Sequence, residues 1–335
     1  MTRIFTDGAE MRDTLFWTGA SSLTVQSSTP AFSTYYYYGV EGTPYKYFTP
    51  LSEFYFRMRY RDTQITYGGR VMPCFRNGST NIAWIGPNGS YPSANTSAGR
   101  LVTSTVILNS NQWYLYEVYF KLADAPNGRF VLKVDGTIII DYTGDTKPTS
   151  TSTIDNIYLA ANGSGNLYCD DLALNDTDNS DGKNDNSWCG DGIITKITPS
   201  GSGTTNNWLN SGSVSGSANY LYVDEYPSDS DTTYVYCSGS NTGFQDQYEM
   251  SDISLAGKTI TRIYSESRAK KTLAETVGLK IGYLPAGGTD QLSGSSTLTL
   301  SYARIVGTDA CINPVTSASW VESDISALEY VAEIA

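Results

Sequence analysis

Alternation with a period of two runs through this chain and limits most of it to strands. In Glu53-Phe-Tyr-Phe-Arg-Met-Arg-Tyr-Arg61, one face holds Phe54, Phe56, Met58 and Tyr60, and the other holds Tyr55, Arg57, Arg59 and Arg61. Successive strand side chains point to opposite sides, so this segment reads as an antiparallel strand with one buried and one polar face. Trp113–Leu122 repeats the pattern with Tyr114, Tyr116, Val118, Phe120 and Leu122 on one side. Arg129–Val134 and Thr137–Tyr142 flank Asp135-Gly136, a two-residue hairpin turn with Gly136 at positive φ. Ile154–Ala160 and Asn166–Leu174 add two more strands. Closely spaced strands with turn signals and no helical period between them indicate an all-β sandwich.

The chain has 335 residues, more than the roughly 250–300 at which a single core stops growing, so two domains are expected. Charged residues are only 17%, below the roughly 25% of an average domain, and 31 Gly and 26 Tyr take up part of the difference, as strands and turns require. The pattern breaks at Asn175–Gly192, NDTDNSDGKNDNSWCGDG. This gives a first sandwich over 1–175, an Asp/Asn-rich linker over 176–191 and a smaller β-sandwich over 192–335. In the second domain Gly192–Ile197, Tyr234–Cys237, Thr259–Ser267, Val277–Tyr283 and Thr297–Ile305 read as strands. Ser200–Thr205 and Ser211–Ser217 read as loops. A short helix is expected around Glu322–Leu328, capped by Ser323 or Asp324, before a final strand at Tyr330–Ile334.

Residues 1–175 carry 13 basic and 14 acidic side chains; residues 176–335 carry 9 and 20. The excess of acid in the second part repels phosphate backbones and anionic membranes, so neither nucleic-acid binding nor membrane insertion is expected. The start, Met1-Thr-Arg-Ile-Phe-Thr-Asp-Gly8, has no apolar h-region, so no secretory signal is expected. Cys74, Cys169, Cys189, Cys237 and Cys311 form no CxxC pair and read as free thiols; Cys169 and Cys189 could pair only if the loop between them folds back.

There is no histidine, which removes Ser-His-Asp and Cys-His catalysis. Glycoside hydrolysis by a retaining mechanism needs two carboxylates about 5–5.5 Å apart, and no Glu-x-Asp-x-Glu string, which would set carboxylates on one strand face, occurs. Asp170-Asp171 and Asp224-Glu225 are adjacent and point to opposite faces. The expectation is therefore no enzymatic activity and no cofactor, with calcium the one candidate ion. Asp176, Asp178, Asp181 and Asp185 offer oxygen ligands with Gly182 at a turn, but the EF-hand spacing fails. Asp135, Asp170 and Asp171 are further carboxylates for a cation, or else turn and edge caps. Tyr35, Tyr36, Tyr37 and Tyr38, with Tyr45 and Tyr47, are candidates for core, subunit interface or glycan contact. With them Phe48, Trp84 and Tyr91 make residues 30–95 rich in aromatics. Some tyrosines of this region are expected to be exposed in the lone chain and buried in a homo-oligomer.

Two segments carry resemblances. The order Trp113, then Asn127-Gly128-Arg-Phe-Val-Leu-Lys-Val-Asp135-Gly136, then Ile154-Asp-Asn-Ile-Tyr-Leu and Leu167-Tyr-Cys-Asp170-Asp171-Leu resembles the concanavalin A-like (laminin-G-like) jelly-roll sandwich. That fold hosts lectins, enzymes and inert modules alike. Downstream, Asn219-Tyr-Leu-Tyr-Val-Asp224-Glu225 through Val235, and Asn313-Pro-Val-Thr-Ser-Ala-Ser-Trp320 with Ile325-Ser-Ala-Leu-Glu-Tyr330, resemble structural proteins of tailed-bacteriophage virions. The resemblance implies a tail- or capsid-associated virion component, assembled in the host cytoplasm, whose partners are other virion proteins. The alternative is a carbohydrate-binding adhesin that recognises a host glycan.

Overall fold

The computed structural model describes residues 3–10, 12–19, 23–27, 35–39, 44–63, 71–160, 166–178, 186–214, 216, 218–225, 227–255 and 257–335. The chain divides into two compact units, residues 1–195 and 196–335. No described helix is long and apolar enough to cross a membrane.

The strands of the first unit are, in chain order, β1 (Arg3–Asp7), β2 (Leu23–Gln26), β3 (Tyr36–Gly39), β4 (Tyr45–Leu51), β5 (Glu53–Asp62), β6 (Val71–Asn77) and β7 (Thr80–Asn88). They continue with β8 (Tyr91–Thr96), β9 (Gly99–Thr103), β10 (Tyr114–Lys121), β11 (Gly128–Val134), β12 (Thr137–Gly144), β13 (Ile154–Ala160) and β14 (Leu167–Asp176). They form a β-sandwich. One sheet runs β12-β11-β10-β5-β14-β3-β2, with β1 also on β14; the other runs β4-β13-β6-β7-β8-β9. All pairings are antiparallel.

The alternating faces meet between the sheets. Phe54, Phe56 and Met58 of β5 are buried against Val118 and Phe120 of β10, Phe130 and Leu132 of β11, and Phe75 and Ile157 from the other sheet. Phe75 stacks on Phe120 at 5.8 Å and meets Phe54 edge-on at 4.9 Å. Burying side chains of this size contributes about 1.5–3 kcal/mol each, which is why the aromatic alternation dictates the fold. Asp135 (φ +49°) and Gly136 (φ +78°) turn β11 into β12, and Asp135 Oδ1 accepts the Leu115 N–H at 2.8 Å.

The second unit is built on an antiparallel sheet ordered Pro199–Asn206, Gln245–Met250, Glu329–Ile334, Gly278–Leu284 and Gln291–Leu292. A strand pair, Ile263–Ala269 with Ala303–Ala310, packs on it and buries Leu279, Ile281, Ile305, Ala332 and Ile334. The helix lies at Glu322–Ser326, and Asp324 Oδ2 accepts the Val321 N–H at 3.1 Å.

Three sequence expectations are corrected. Thr297–Ile305, expected as one strand, is split between Ser296–Thr297 and Ala303–Ala310. Ser200–Thr205, expected as a loop, lies within the strand Pro199–Asn206. Its small residues are what the pairing needs: a Cβ on Gly203 would stand 2.5 Å from the Gln247 carbonyl carbon, and one on Gly201 would stand 2.4 Å from the Glu249 carboxylate. Gly192–Ile197, expected as a strand, joins no ladder.

Candidate functional site

The register of the second sheet brings distant residues into rows on its outer face. Tyr45, Tyr158, Cys74, Trp84 and Asn95 face one another across β4, β13, β6, β7 and β8. Tyr47, Asn156, Arg76 and Asn81 make the next row. Cys74 and Tyr158 form a buried floor against which Tyr45 and Trp84 pack. Tyr47 stands up from the face at 46% exposure, its ring edge-on to Tyr45 at 5.4 Å. Gly19 lets the Tyr45 ring lie down, since a Cβ there would come within 2.3 Å of it.

Hydrogen bonds hold the polar members in place. The Arg76 guanidinium lies over the Tyr158 ring, 3.2 Å from its centroid, and Arg76 Nε donates to Asn81 Oδ1 at 2.5 Å. Buried Asn156 donates from Nδ2 to the Gly78 carbonyl at 2.9 Å and to Asp155 Oδ1 at 2.7 Å. Asn95 Nδ2 donates to the Ser93 carbonyl and hydroxyl, both at 3.0 Å. Burial pushes the Cys74 thiol up to about 12, against the opposing pull of Arg76, so it stays protonated and is no nucleophile. The face therefore offers aromatic walls, the Asn81 amide and one fixed cation, with Asn95 and Asn156 buried as its support. That equipment suits a ring with an apolar face and polar edges.

The outer face of the first sheet is different. Arg57, Arg59 and Glu117 are buried there, beneath residues 187–194. Arg57 donates to the carbonyls of Asp171 and Gly190, each at 3.0 Å. Arg59 pairs with Asp171 at 3.2 Å and with Asp191. Glu117 accepts the Gly190 N–H at 3.0 Å, and Asp171 Oδ1 accepts the Ile194 N–H at 2.9 Å. Trp188 sits under the Lys133 ammonium, 3.6 Å from the ring centroid. Burial raises the pKa of Asp171, with the Ile194 N–H and the two arginines opposing it. These ions are closed off by one another and by the chain. A half-open pocket of about 30 Å³ lined by Tyr60, Asp62, Ile85, Tyr91 and Tyr116 has room for a water or two.

The tyrosines singled out in the sequence separate. Tyr37 is in the core, edge-on to Trp17 at 5.6 Å. Tyr36 faces the other side but is equally buried, because Trp113 and Tyr168 close over it at 6.0 and 5.5 Å. Tyr35 is half-buried under the Arg12 guanidinium, and Tyr38 is half-buried against Tyr168. Of these six, Tyr45 and Tyr47 belong to the second sheet. Its partners Arg76, Asn81, Trp84 and Tyr158 come from three other strands, and no spacing in the sequence links them. Of the candidate calcium ligands, Asp181 and Asp185 lie outside the described residues. Asp176 is buried at the end of β14 and accepts the Asp178 N–H at 3.1 Å, while Asp178 is exposed. Among the described residues no group of three or more Asp, Glu, Cys or His is placed to hold a metal ion. A left-handed bulge at Asp171 (φ +50°) buries both Asp170 and Asp171, rather than sending them to opposite faces. Cys169 is in the core and Cys189 lies beside the Tyr55 and Ala173 carbonyls on the outer face; both thiols are free.

No protein-family model and no curated protein matches the sequence. Solved structures do. An endo-β-1,4-glucuronan lyase from the fungus Trichoderma reesei is 13% identical over 52% of this chain and 95% of its own, with a TM-score of 0.40. An alginate lyase from Aplysia kurodai is 10% identical over 52% and 99%, with a TM-score of 0.37. A carbohydrate esterase from the Shiga toxin-encoding bacteriophage phi24B is 11% identical over 52% and 99%, with a TM-score of 0.35. The neighbours are thus β-sandwich proteins that act on carbohydrates. At these identities the likeness is one of fold and assigns no activity to this chain. It does overturn the expectation of no enzymatic activity, because solved structures similar to this chain are lyases and an esterase. That expectation weighed only paired-carboxylate hydrolysis and histidine chemistry, whereas proton abstraction can equally use Tyr or Lys.

Proposed function

We propose that the chain is a carbohydrate-binding adhesin and that the outer face of the β4-β13-β6-β7-β8-β9 sheet is its saccharide-contacting surface. The observation that carries this reading is the pair Tyr45 and Trp84 over the buried floor of Cys74 and Tyr158, with Tyr47 raised beside them and Arg76 and Asn81 at the edge. The C–H face of a pyranose packs on an aromatic ring, and its hydroxyls bond to amide and guanidinium groups that are already held in place. Glycan-array binding by the whole chain is the test. Tyr47→Ala and Trp84→Ala should each lower the signal at least tenfold, and Tyr47→Ala should leave the melting temperature unchanged, since Tyr47 is largely exposed. A blank array, or variants that bind like the parent, would sink the reading.

A second reading, a tail- or capsid-associated virion component that works by assembly, is favoured by the virion-like segments of the second unit. Leu221, Tyr234, Tyr236 and Phe244 are exposed there at 37–52%. Such side chains serve subunit contact with other virion proteins or with further copies of this chain. The two readings meet in an adhesin displayed on a virion.

A further inference from the structure

The second sheet is almost free of carboxylates in a chain that has 34 of them. Its six strands contain one acid, Asp155, and three bases, Lys46, Arg76 and Arg100. Asp155 is turned to the β6–β7 corner, where its Oδ1 accepts the Gly78 N–H at 2.9 Å and the Asn156 amide at 2.7 Å. Lys46 lies over the Phe16 ring, toward the core. Arg100 is exposed on β9, opposite Asn95. Arg76 has no carboxylate partner among the described residues. Its guanidinium is half-buried over the Tyr158 ring, hydrogen-bonded through Nε to Asn81, and beside the Cys74 thiol.

From this we infer that the ligand is an acidic saccharide and that Arg76 receives its carboxylate; the inference rests on the saccharide-binding reading and names its substrate class. A guanidinium engaged through Nε and with the Cys74 thiol beside it keeps further N–H groups on its terminal nitrogens, and a guanidinium edge matches a planar carboxylate. Stacking on Tyr158 and the Asn81 bond fix that edge before the ligand arrives, so little rotamer freedom is lost on binding. Half-burial makes an unpaired cation costly, and an incoming anion relieves that cost, whereas a neutral sugar leaves it in place. A carboxylate placed at Arg76 also sets a neighbouring ring beside Trp84 or Tyr47, which lie in the same and adjacent rows.

The test is binding of the whole chain to a panel of oligouronates and sialosides, each with its neutral methyl ester on the same skeleton and a sulfated neutral oligosaccharide alongside. The free acid should bind at least tenfold more tightly than its ester, and Arg76→Gln should abolish that difference. Arg76→Lys should recover less than half of it, because an ammonium lacks the paired edge. Acid and ester binding equally would overturn the inference, whatever the fold of the variants. Sulfated sugars binding in preference to every uronate would overturn the carboxylate assignment. If neutral glycans alone bind, the class is wrong and the saccharide reading survives; if nothing binds, both fall.

Discussion

Asp246 is sealed inside the second unit, its Oδ2 accepting from Asn219 Nδ2 at 2.8 Å and from the Tyr248 hydroxyl at 2.6 Å. No described cation pairs with it. Burial raises its pKa above the ordinary 3.8, and the hydrogen bonds from Tyr248 and Asn219 only partly oppose this. A carboxyl that holds its proton more tightly when folded adds stability that is fully present below the unfolded pKa and lost as pH rises through the folded value. Asp246→Asn should therefore gain on the parent in urea midpoint as pH rises from about 4 to 7, starting near the unfolded carboxylate value. Parallel curves across that range would mean that Asp246 is as well solvated folded as unfolded.

At the scale of elements, the segment 187–194 is part of the first unit although it forms no strand. Its backbone bonds to side chains instead of a ladder: Ser187 carbonyl to Asn175, Gly190 to Glu117 and Arg57, Ile194 to Asp171. Removing it would expose Arg57, Arg59 and Glu117 and delete the backbone hydrogen bonds from Gly190 and Ile194, and hydrogen bonds to charged groups contribute about 1.5–3 kcal/mol each. Residues 1–195 should unfold cooperatively, while residues 1–178 should have a much lower urea midpoint or fail to fold. Asp191→Asn should cost below about 1 kcal/mol, because Asp191 is largely exposed and Arg59 keeps Asp171. Equal midpoints for the two lengths would show the segment to be passive. The same contrast explains what could be read in advance. β5, β10 and β11 announce themselves because one face is apolar and the other polar. Pro199–Asn206 does not, because its Ser and Gly residues answer a close backbone approach that only the paired strand reveals. The Asp170-Asp171 bulge is equally hidden, since a one-residue register shift leaves no mark in composition.

For the whole molecule, cross-strand register decides where chemistry gathers. Tyr45 and Tyr47 could be named from the sequence as aromatic candidates, but Trp84, Arg76 and Tyr158 lie 37, 29 and 111 residues from Tyr47 and meet it only through the sheet order β4-β13-β6-β7. The run Tyr35–Tyr38 is as aromatic but serves mostly in packing, because Trp113 and Tyr168 cover its outward side. The central claim is that a saccharide lies across the outer face of the second sheet. The most direct measurement is amide and indole chemical-shift mapping on the isotope-labelled whole chain, titrated with the tightest-binding oligosaccharide of the panel. Shifts should concentrate at Tyr45, Tyr47, Arg76, Asn81, Trp84 and Tyr158, with the Trp84 indole among the largest. Shifts centred on the first sheet or in the second unit, with those six positions unmoved, would contradict the account.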